Sequence, residues 1–393
     1  MRPLSGILLV MGTCIGAGML ALPVVTGVAG FLPAIVVNLL CCLFMMATGL
    51  LFLEAILWSH DGANVLSLAQ RFLGKWGKWI GGISFLFLYY CLEVSYCSGG
   101  TPALVRIVDQ ISGIQIHGAI GYLLFSLVFG IIVYMGTSTL NRLNWVLMAG
   151  LIISFVMLIG IGSSQVQTEL LQRADWRLSL AATPTLFGAY GYHNLLPSLS
   201  TYLKRHITSL RFAVIFGTLL PFLIYSIWQW MIIGTLSLEQ IQNADLQGEP
   251  ITQTLQTYLG NPWLRNLGEF FGFFALVTSF LGVSLSMVDF LADGTGIRPE
   301  GWKRFILCAL VLVPPTFFAA TYPGVFIEAI GLAGGYGEAI LNGLFPILMV
   351  WVGRYILHLP SQYSLMGGRP MLAILLLITL FIMGIETHHL FFR

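Results

Sequence analysis

Residues 4–28 read LSGILLVMGTCIGAGMLALPVVTGV, and this segment guides the interpretation of the whole chain. It is apolar over the length of about 20 residues that a helix needs to cross the hydrocarbon core of a bilayer. Its middle carries Gly12, Gly16 and Gly18, and Pro23 follows. Glycine weakens a helix, and proline removes a backbone donor. The segment therefore predicts a membrane-spanning helix that is broken near its midpoint.

The rest of the chain repeats this apolar character. Hydrophobic residues make up 57% of the 393 residues and charged residues only 9%, a composition that cannot hide its apolar surface from water. Ten further apolar runs follow the first, so the sequence predicts an all-α polytopic membrane protein with about eleven transmembrane helices. The predicted spans are residues 4–28, 32–57, 77–100, 119–136, 143–163, 180–202, 208–236, 266–291, 304–320, 325–355 and 369–388.

Charge and cysteine content exclude several classes of function. The formal net charge is +2, from 18 basic and 16 acidic residues, so the chain has no strongly basic surface for nucleic acid. The six cysteines lie inside apolar runs without metal-binding spacing, so neither a metal site nor a cofactor is predicted. No connection between spans is long enough for a catalytic domain. The longest, residues 236–265, is predicted to hold a short amphipathic helix near residues 251–259.

The positions of Lys and Arg predict the orientation in the membrane. With a cytoplasmic N-terminus, thirteen of the 18 basic residues fall in cytoplasmic segments, and an eleven-span chain then ends in the periplasm. This distribution predicts a multi-pass protein of the bacterial inner membrane. The cytoplasmic basic residues are Arg2, Arg71, Lys75, Lys78, Arg142, Lys204, Arg205, Arg211, Arg298, Lys303, Arg304, Arg354 and Arg369, and the periplasmic ones are Arg106, Arg173, Arg177, Arg265 and Arg393.

A second broken helix is predicted in the sixth span. The run FGAYGYHN, residues 187–194, lies in its middle, and Pro197 follows. If residues 4–163 and 180–355 are two five-helix repeats of inverted topology, the two broken helices are equivalent. Residues 369–388 then form an extra helix within a single transporter domain, residues 1–393.

Paired broken helices indicate a binding site for a zwitterion. Freed N–H groups at a positive half-helix end attract a carboxylate, and freed carbonyls at a negative end attract an ammonium group. An amino acid carries both of these charged groups. For the first span an alternative stays open, in which Gly12 and Gly16 form a close-packing surface between helices.

Several motifs together resemble those of the hydroxy and aromatic amino acid permeases, in particular the bacterial tyrosine-specific permeases. The motifs are residues 12–23, residues 188–198 with His193 and Pro197, residues 278–282 with Asp289, residues 322–323 and residues 367–370. The resemblance implies the amino acid, polyamine and organocation superfamily and its five-plus-five inverted-repeat fold, which is that of sodium-coupled leucine transporters. It also implies proton-driven import of tyrosine, tryptophan or phenylalanine.

The resemblance also implies where the substrate binds. The backbone of residues 13–18 would hold its charged groups, and residues 187–193 would complete the pocket. Tyr89, Tyr90, Phe187, Tyr190 and Tyr192 could stack on or gate an aromatic ring, although ordinary packing between helices is the alternative for each. The residues expected to bind substrate are Thr13, Cys14, Ile15, Gly16, Ala17, Gly18, Tyr90, Phe187, Gly188, Tyr190, Gly191 and His193.

Five side chains are candidates for ion coupling. His193 can exchange a proton near neutral pH, and Glu93 and Glu338 are acids within apolar spans, which are costly unless paired or protonated. Each could instead be a structural link between helices. The resemblance aligns Thr278 and Ser279 with a sodium-binding hydroxyl pair, which the carbonyls of Gly12, Ile15 and Ala275 would complete. Ser and Thr also commonly bond back to their own helix.

Two other classes of function fit the sequence less well than transport. An intramembrane enzyme could use His193 with Glu93 or Glu338, but it would need a nucleophile or metal cluster and an oxyanion stabiliser, which the sequence lacks. A channel would need a continuous polar-lined pore. The sequence therefore predicts a secondary active transporter, not an enzyme, that imports aromatic amino acids, with tyrosine favoured, by proton symport with alternating access. Sodium coupling is the alternative.

Overall fold

The computed structural model of the chain consists of helices that pack against one another. It describes residues 2–258, 262–360 and 363–392, except for the side chains of Arg2 and Asn141, and these residues contain no β-strand. The helices are α1 (Arg2–Cys14), α2 (Gly18–Gly27), α3 (Phe31–Leu57), α4 (Val65–Ser112), α5 (Ala119–Met135), α6 (Thr137–Gly162), α7 (Thr168–Leu171), α8 (Thr183–Ala189), α9 (Leu196–Tyr202), α10 (Ile207–Thr235), α11 (Leu238–Gln247), α12 (Ile251–Tyr258), α13 (Pro262–Thr295), α14 (Gly301–Thr321), α15 (Phe326–Leu332), α16 (Phe345–Tyr355) and α17 (Gly368–Phe392).

Each predicted apolar run falls on a helix or on a pair of helices separated by a break. Among the described helices, eight spans are long and apolar enough to cross a bilayer, and the bent pair α1 and α2 makes a ninth. α5 has 17 residues, about 26 Å, against a hydrocarbon core of about 30 Å. α8 and α9 have seven residues each. The count of eleven spans, and the inverted repeat built on it, therefore stay predictions. Arg393 and the side chain of Arg2 lie outside the described residues.

The first predicted break is present, and Pro23 leaves a backbone carbonyl beside it without a helical donor. α1 and α2 meet at an angle of 60° across residues 15–17. Pro23 lies inside α2 and cannot donate to the carbonyl of Met19, four residues earlier. The indole N–H of Trp228, a buried residue of α10, donates to that carbonyl instead, at 3.0 Å. The proline thus creates an acceptor that a neighbouring helix uses.

The second predicted break is also present, and α3 supports it. α8 ends at Ala189, and the chain resumes with a short 3₁₀ turn before α9. The Tyr190 hydroxyl donates to Asn38 at 2.7 Å, and the Tyr192 hydroxyl donates to the carbonyl of Met45 at 3.0 Å. The break therefore lies against α3, whose polar groups accept its hydrogen bonds.

A third irregularity lies between α15 and α16. Residues Ala333–Leu344 form a π-helix, a rare geometry that is frequently found at functional sites. The glycine run 334, 335 and 337 lies in this segment and allows close packing, because a Cβ atom at Gly334 would collide with the backbone of Pro184 and Gly188 in α8. These glycines lie in the tenth predicted span, but the sequence does not indicate a π-helix there.

Two helices cover one end of the bundle. α11 begins with a capping box between Ser237 and Gln240, and α12 is the predicted amphipathic helix. Leu259, at the end of the predicted segment, lies outside the described residues. We call the end with α11 and α12 the cap side, and the end at which α1 begins the α1 side.

Exposed tryptophans mark both ends of the bundle. Trp76, Trp79, Trp145 and Trp302 are about 70–80% exposed on the α1 side. Trp145 and Trp302 lie in the first turns of α6 and α14, and Trp76 and Trp79 follow the backbone kink of α4 at Gly74. Trp263, 69% exposed, lies on the cap side. Tryptophan concentrates where a membrane meets water, so these side chains indicate where the two membrane surfaces meet the protein.

A buried ion pair joins two helix ends on the α1 side. Glu54 of α3 is completely buried and accepts two hydrogen bonds from the Arg354 guanidinium of α16, at 2.7 and 2.6 Å. The N–H of Leu365 adds a third, at 3.1 Å. An acid in an apolar span needs such partners. This pairing explains how the chain tolerates Glu54.

We expect Arg354→Ala to lower the stability of the protein, because removing one partner of a buried pair leaves the other charge uncompensated, at a cost of about 3–5 kcal/mol. The midpoint of thermal unfolding of the purified protein in detergent measures the change. The control is Arg298→Ala, at an exposed arginine on the same side, with an expected change within about 0.5 kcal/mol. Equal midpoints for Arg354→Ala and the unmodified protein would contradict this account.

Candidate functional site

A cavity of about 450 Å³ lies between the two broken helices. Its volume is within the range of sites for small molecules. It includes residues of α1 but none of α2, and its residues Thr13, Asn144, Asn194, Gly282 and Ser286 are exposed, so it opens toward the α1 side. The lining residues are Leu8, Leu9, Gly12, Thr13, Ile15, Leu88, Tyr89, Leu92, Tyr96, Leu140, Asn144, Met148, Gly188, Gly191, Asn194, Thr278, Ser279, Gly282, Val283, Ser286 and Glu338.

The structure brings about half of the predicted site residues to this cavity. The predicted residues that line it are Thr13, Ile15, Gly188, Gly191, Thr278, Ser279 and Glu338. The predicted residues outside its lining are Cys14, Gly16, Ala17, Gly18, Tyr90, Glu93, Phe187, Tyr190 and His193. At the second break the two sets differ in a simple way, because Gly188 and Gly191 face the cavity, whereas the side chains of Phe187, Tyr190 and His193 are buried in the protein.

The backbone of the first break is only partly free. The N–H of Ala17 donates to the Ser279 hydroxyl of α13 at 2.9 Å. The carbonyl of Cys14 accepts the Tyr225 hydroxyl at 2.6 Å. Within the described part of the chain, the N–H of Gly16 has no acceptor. The start of α2 therefore offers the unpaired N–H of Gly16 and, at Ala17, an N–H held by a hydroxyl that an anion could replace.

The predicted aromatic residues of the sixth span pack behind the break in this conformation. Phe187 is fully buried and stacks on Phe44 of α3, with ring centroids 4.8 Å apart. Tyr190 packs edge-on against Tyr225 at 5.2 Å. These contacts are the interhelical packing that was the alternative to ring binding.

In the third span, the structure places one of the two predicted tyrosines, Tyr89, at the cavity but not the other, Tyr90. The hydroxyl of Tyr90 donates to the carbonyl of Leu310 in α14 at 2.9 Å, away from the cavity. Tyr89 and Tyr96 line the cavity instead. Tyr96 lies seven residues from Tyr89, which is two helical turns and the same face of α4. That spacing is the signal that would have identified Tyr96.

His193 faces α3 rather than the cavity. Its Nε2 lies 3.0 Å from the Thr48 hydroxyl, and its ring packs on Tyr192 at 4.6 Å. Its Nδ1 is buried without a hydrogen-bond partner among the described residues. These contacts are those of a histidine that links helices.

Glu93 is also enclosed by the protein. Its side chain is fully buried, and its Oε1 accepts the Ser284 hydroxyl of α13 at 2.8 Å. Its Oε2 has no partner within the described residues. Glu93 therefore bridges α4 and α13 one step outside the cavity wall.

Glu338 is the acidic residue that faces the cavity among the lining residues. It lies in the π-helix, and its Oε2 accepts a hydrogen bond from Asn342, one turn further along. Its other oxygen lies against Gly191 of the second break, where the space that a Cβ atom would take is filled by the carboxyl group. Glycine at position 191 therefore allows this acid to reach the break.

The hydroxyl pair of α13 has two different roles. The Thr278 hydroxyl donates to the carbonyls of Phe274 and Ala275 in its own helix, at 2.8 and 3.1 Å. The carbonyl of Ala275, expected as a cation ligand, is thus already an acceptor. Ser279 instead holds the N–H of Ala17 across the cavity wall.

Tyr225 of α10 connects both breaks, and the sequence reasoning missed it. Its buried hydroxyl lies 2.6 Å from the carbonyl of Cys14, at the end of α1, and 2.8 Å from that of Ala189, at the end of α8. Both carbonyls lack a donor from their own helix, because each helix ends there. Polar residues at positions 218, 225 and 229 share one face of α10, and this spacing was a usable signal.

The cap side of the molecule is closed above the cavity. Arg106 of α4 forms an ion pair with Glu269 of α13 at 2.9 Å, and Gln256 of α12 donates to the same carboxylate at 2.5 Å. Arg173 donates to the carbonyls of Gly27 and Val28 at the end of α2. This conformation is therefore open on the α1 side and closed on the cap side.

Comparison with known proteins agrees with this architecture. Residues 2–386 match the model of the tryptophan/tyrosine permease family. The tyrosine-specific transport system 1 of Haemophilus influenzae is 29% identical over 98% of this chain and 96% of its own length. The tryptophan-specific transport protein of Pseudomonas aeruginosa is 30% identical, over 95% and 91%. The low affinity tryptophan permease of Escherichia coli is 26% identical, over 95% and 92%.

These matches cover nearly the whole chain, and they confirm the resemblance found in the motifs. The relatives are bacterial transport proteins and permeases, not enzymes. With the apolar helices, they indicate a multi-pass inner-membrane protein. The chain belongs to the tryptophan/tyrosine permease family.

Proposed function

We propose that this protein imports an aromatic amino acid, tyrosine or tryptophan, by proton symport with alternating access. The observation that carries the proposal is the cavity between the two broken helices, which is lined by both breaks and by Glu338. The names of the relatives support the substrate class.

The cavity supplies a partner for each charged group of an amino acid. The substrate carboxylate would bind at the start of α2, where the N–H of Gly16 is unpaired among the described residues and that of Ala17 is held only by Ser279. The ammonium group would lie near the carbonyl ends of α1 and α8, at the cavity-lining residues Gly12, Thr13 and Gly188. The ring would then extend between α4 and α13, beside Tyr89 and Tyr96.

The topology we propose has eleven spans with the N-terminus in the cytoplasm. α5 and the broken pair α8 and α9 complete the count, and residues 4–163 and 180–355 form the inverted repeats. The α1 side is then cytoplasmic, as the distribution of basic residues favours, and the cavity opens inward. The conformation described above is accordingly the inward-facing one.

Buried hydrogen bonds suggest which helices move together. Tyr225 and Trp228 join α10 to the first break, and Gln229 of α10 accepts from Thr26 of α2 at 2.9 Å. Tyr190 joins the second break to α3. We propose that α1, α2, α3, α8, α9 and α10 rock as one unit against α4, α5, α13 and α14. Opening of the cap side would then require α2 to separate from α12, which Gln256 joins to Glu269 of α13.

Glu338 is the residue that we propose to carry the proton. A coupling group must be accessible from the cavity, and Glu338 lines it, whereas Glu93 and His193 do not. A proton gained from the outside would neutralise the carboxyl group beside Gly191, so that the cavity could close around the substrate without enclosing an unpaired charge. Loss of the proton inside would restore the charge, which water in the open cavity stabilises. Coupling then works by making closure of the cavity depend on protonation.

The experiment that tests this function is uptake of labelled tyrosine and tryptophan into liposomes that contain the purified protein. An imposed pH gradient, acidic outside, is compared with an imposed sodium gradient. Accumulation driven by the pH gradient supports the proposal. Accumulation that requires sodium would assign coupling to Ser279 and Thr278, and no uptake of either amino acid would remove the assignment.

We expect Glu338→Gln to abolish accumulation driven by the pH gradient but to retain exchange of labelled for unlabelled substrate. Glutamine keeps the volume of the side chain and can still form hydrogen bonds, but its carboxamide cannot bind and release a proton near neutral pH. Uptake and exchange are measured in the same liposomes. The matched control is Glu328→Gln, an exposed acid in the same span, with uptake close to that of the unmodified protein. Normal gradient-driven accumulation by Glu338→Gln would exclude Glu338 as the carrier.

We expect Tyr225→Phe to lower both stability and transport. The change removes the single O–H that the buried carbonyls of Cys14 and Ala189 share, at a cost of about 1–3 kcal/mol. Initial uptake should fall at least tenfold, and the midpoint of thermal unfolding should decrease. Tyr202→Phe, which alters an exposed tyrosine at the end of α9, is the control. If Tyr225→Phe kept the uptake and the unfolding midpoint of this control, the hydrogen bonds of Tyr225 to both breaks would not be needed for transport.

A further inference from the structure

Four polar side chains cluster at the open end of the cavity, and neither the family match nor the proposed coupling uses them. We call Tyr89, Asn144, Asn194 and Ser286 the polar rim. All four line the cavity, and they come from α4, α6, the second break and α13. Asn194 and Ser286 lie beside the hydroxyl of Tyr89. Within the described part of the chain, the carboxamide of Asn144 makes no side-chain hydrogen bond, so it is available to a ligand.

The polar rim lies at a defined distance from the first break. The Ser279 hydroxyl accepts a hydrogen bond from the N–H of Ala17 at the first break. The charged groups of an amino acid would therefore bind at the same depth in the cavity as Ser279. On the same helix Ser286 lies seven residues further, about 10 Å along the axis. On α4, Tyr96 and Tyr89 are separated by the same interval. An amino acid held at the break would therefore point its side chain at the polar rim.

We propose that the polar rim binds a polar group on the aromatic ring of the substrate, the hydroxyl of a phenol or the N–H of an indole. It would thereby select tyrosine and tryptophan against phenylalanine. This inference rests on the proposed function, and it adds the residues that determine specificity.

The chemistry of these side chains suits both rings. A carboxamide has an oxygen acceptor and two donors, so it can accept from a phenol or an indole and can also donate to a phenol oxygen. The Ser286 hydroxyl donates to the carbonyl of Gly282 at 2.9 Å, and its lone pairs remain available as acceptors. Phenylalanine offers no such group, and its ring would displace water from these side chains without replacing the lost hydrogen bonds.

The expected selectivity is moderate. Sites that enclose a substrate hydroxyl reject the analogue without it by about 10⁴-fold or more. Asn144, Asn194 and Ser286 are exposed to water on the α1 side, so water can partly compensate when phenylalanine binds. We therefore expect the unmodified protein to bind tyrosine or tryptophan about tenfold more tightly than phenylalanine.

The first experiment needs no variant. Competition by unlabelled tyrosine, tryptophan and phenylalanine against labelled substrate is measured on the purified protein and in liposomes. A preference of about tenfold for at least one ring with a polar group supports the inference. Equal competition by phenylalanine would overturn it while leaving aromatic amino acid transport intact. Absence of binding and uptake for all three would instead remove the proposed function, and this inference with it.

The second experiment assigns the preference to the polar rim. Asn194→Leu and Asn144→Leu should weaken binding of the preferred substrate about tenfold and leave the affinity for phenylalanine unchanged or higher. The ratio of the two affinities should then approach one. Ser286→Ala removes only one oxygen atom and should reduce the ratio in the same direction without disturbing the fold. The control is Asn266→Leu, at an exposed asparagine on the cap side of α13. This variant should keep the affinity ratio of the unmodified protein. If all three rim variants kept it too, the polar rim would not determine specificity.

Discussion

Broken helices inside a membrane leave backbone N–H and C=O groups that lipid cannot satisfy, and the rest of this structure depends on how those groups are bonded. At the first break, Tyr225 and Trp228 of α10 and Ser279 of α13 supply the missing partners. At the second, Tyr225 serves the carbonyl end and α3 accepts from the tyrosines that follow. The N–H of Gly16, unpaired among the described residues, follows Ile15 of the cavity lining, and a polar solute bound at the break could use it.

The sequence predicted where the helices lie and where two of them break, and it did so for physical reasons. Runs of apolar residues as long as a bilayer is thick are rare outside membrane-spanning helices. Glycine and proline act locally, so Gly16 and Pro23, or Gly191 and Pro197, weaken a helix whatever surrounds it. The whole-chain resemblance was likewise visible, because the motifs that carry it lie at these same breaks.

The direction in which side chains point could not be predicted in the same way. An irregular segment such as residues 190–192 has no fixed period, so the orientation of each residue depends on which neighbour offers a partner. α3 presents Asn38 and Thr48 and therefore attracts Tyr190 and His193 away from the cavity. Glycines and Asn194 are left to line it. The contact between Glu338 and Gly191 depends on a π-helix, a rare geometry that composition alone does not indicate.

The hydrogen bond from Trp228 to the carbonyl of Met19 makes the effects of Pro23 and Trp228 on stability depend on each other. The carbonyl of Met19 needs the tryptophan only because the proline cannot donate to it. A chain with alanine at position 23 would regain the helical hydrogen bond, and loss of the indole would then cost less. The two positions should therefore show epistasis: in related sequences, a donor side chain facing this bend and a proline within it should be gained and lost together.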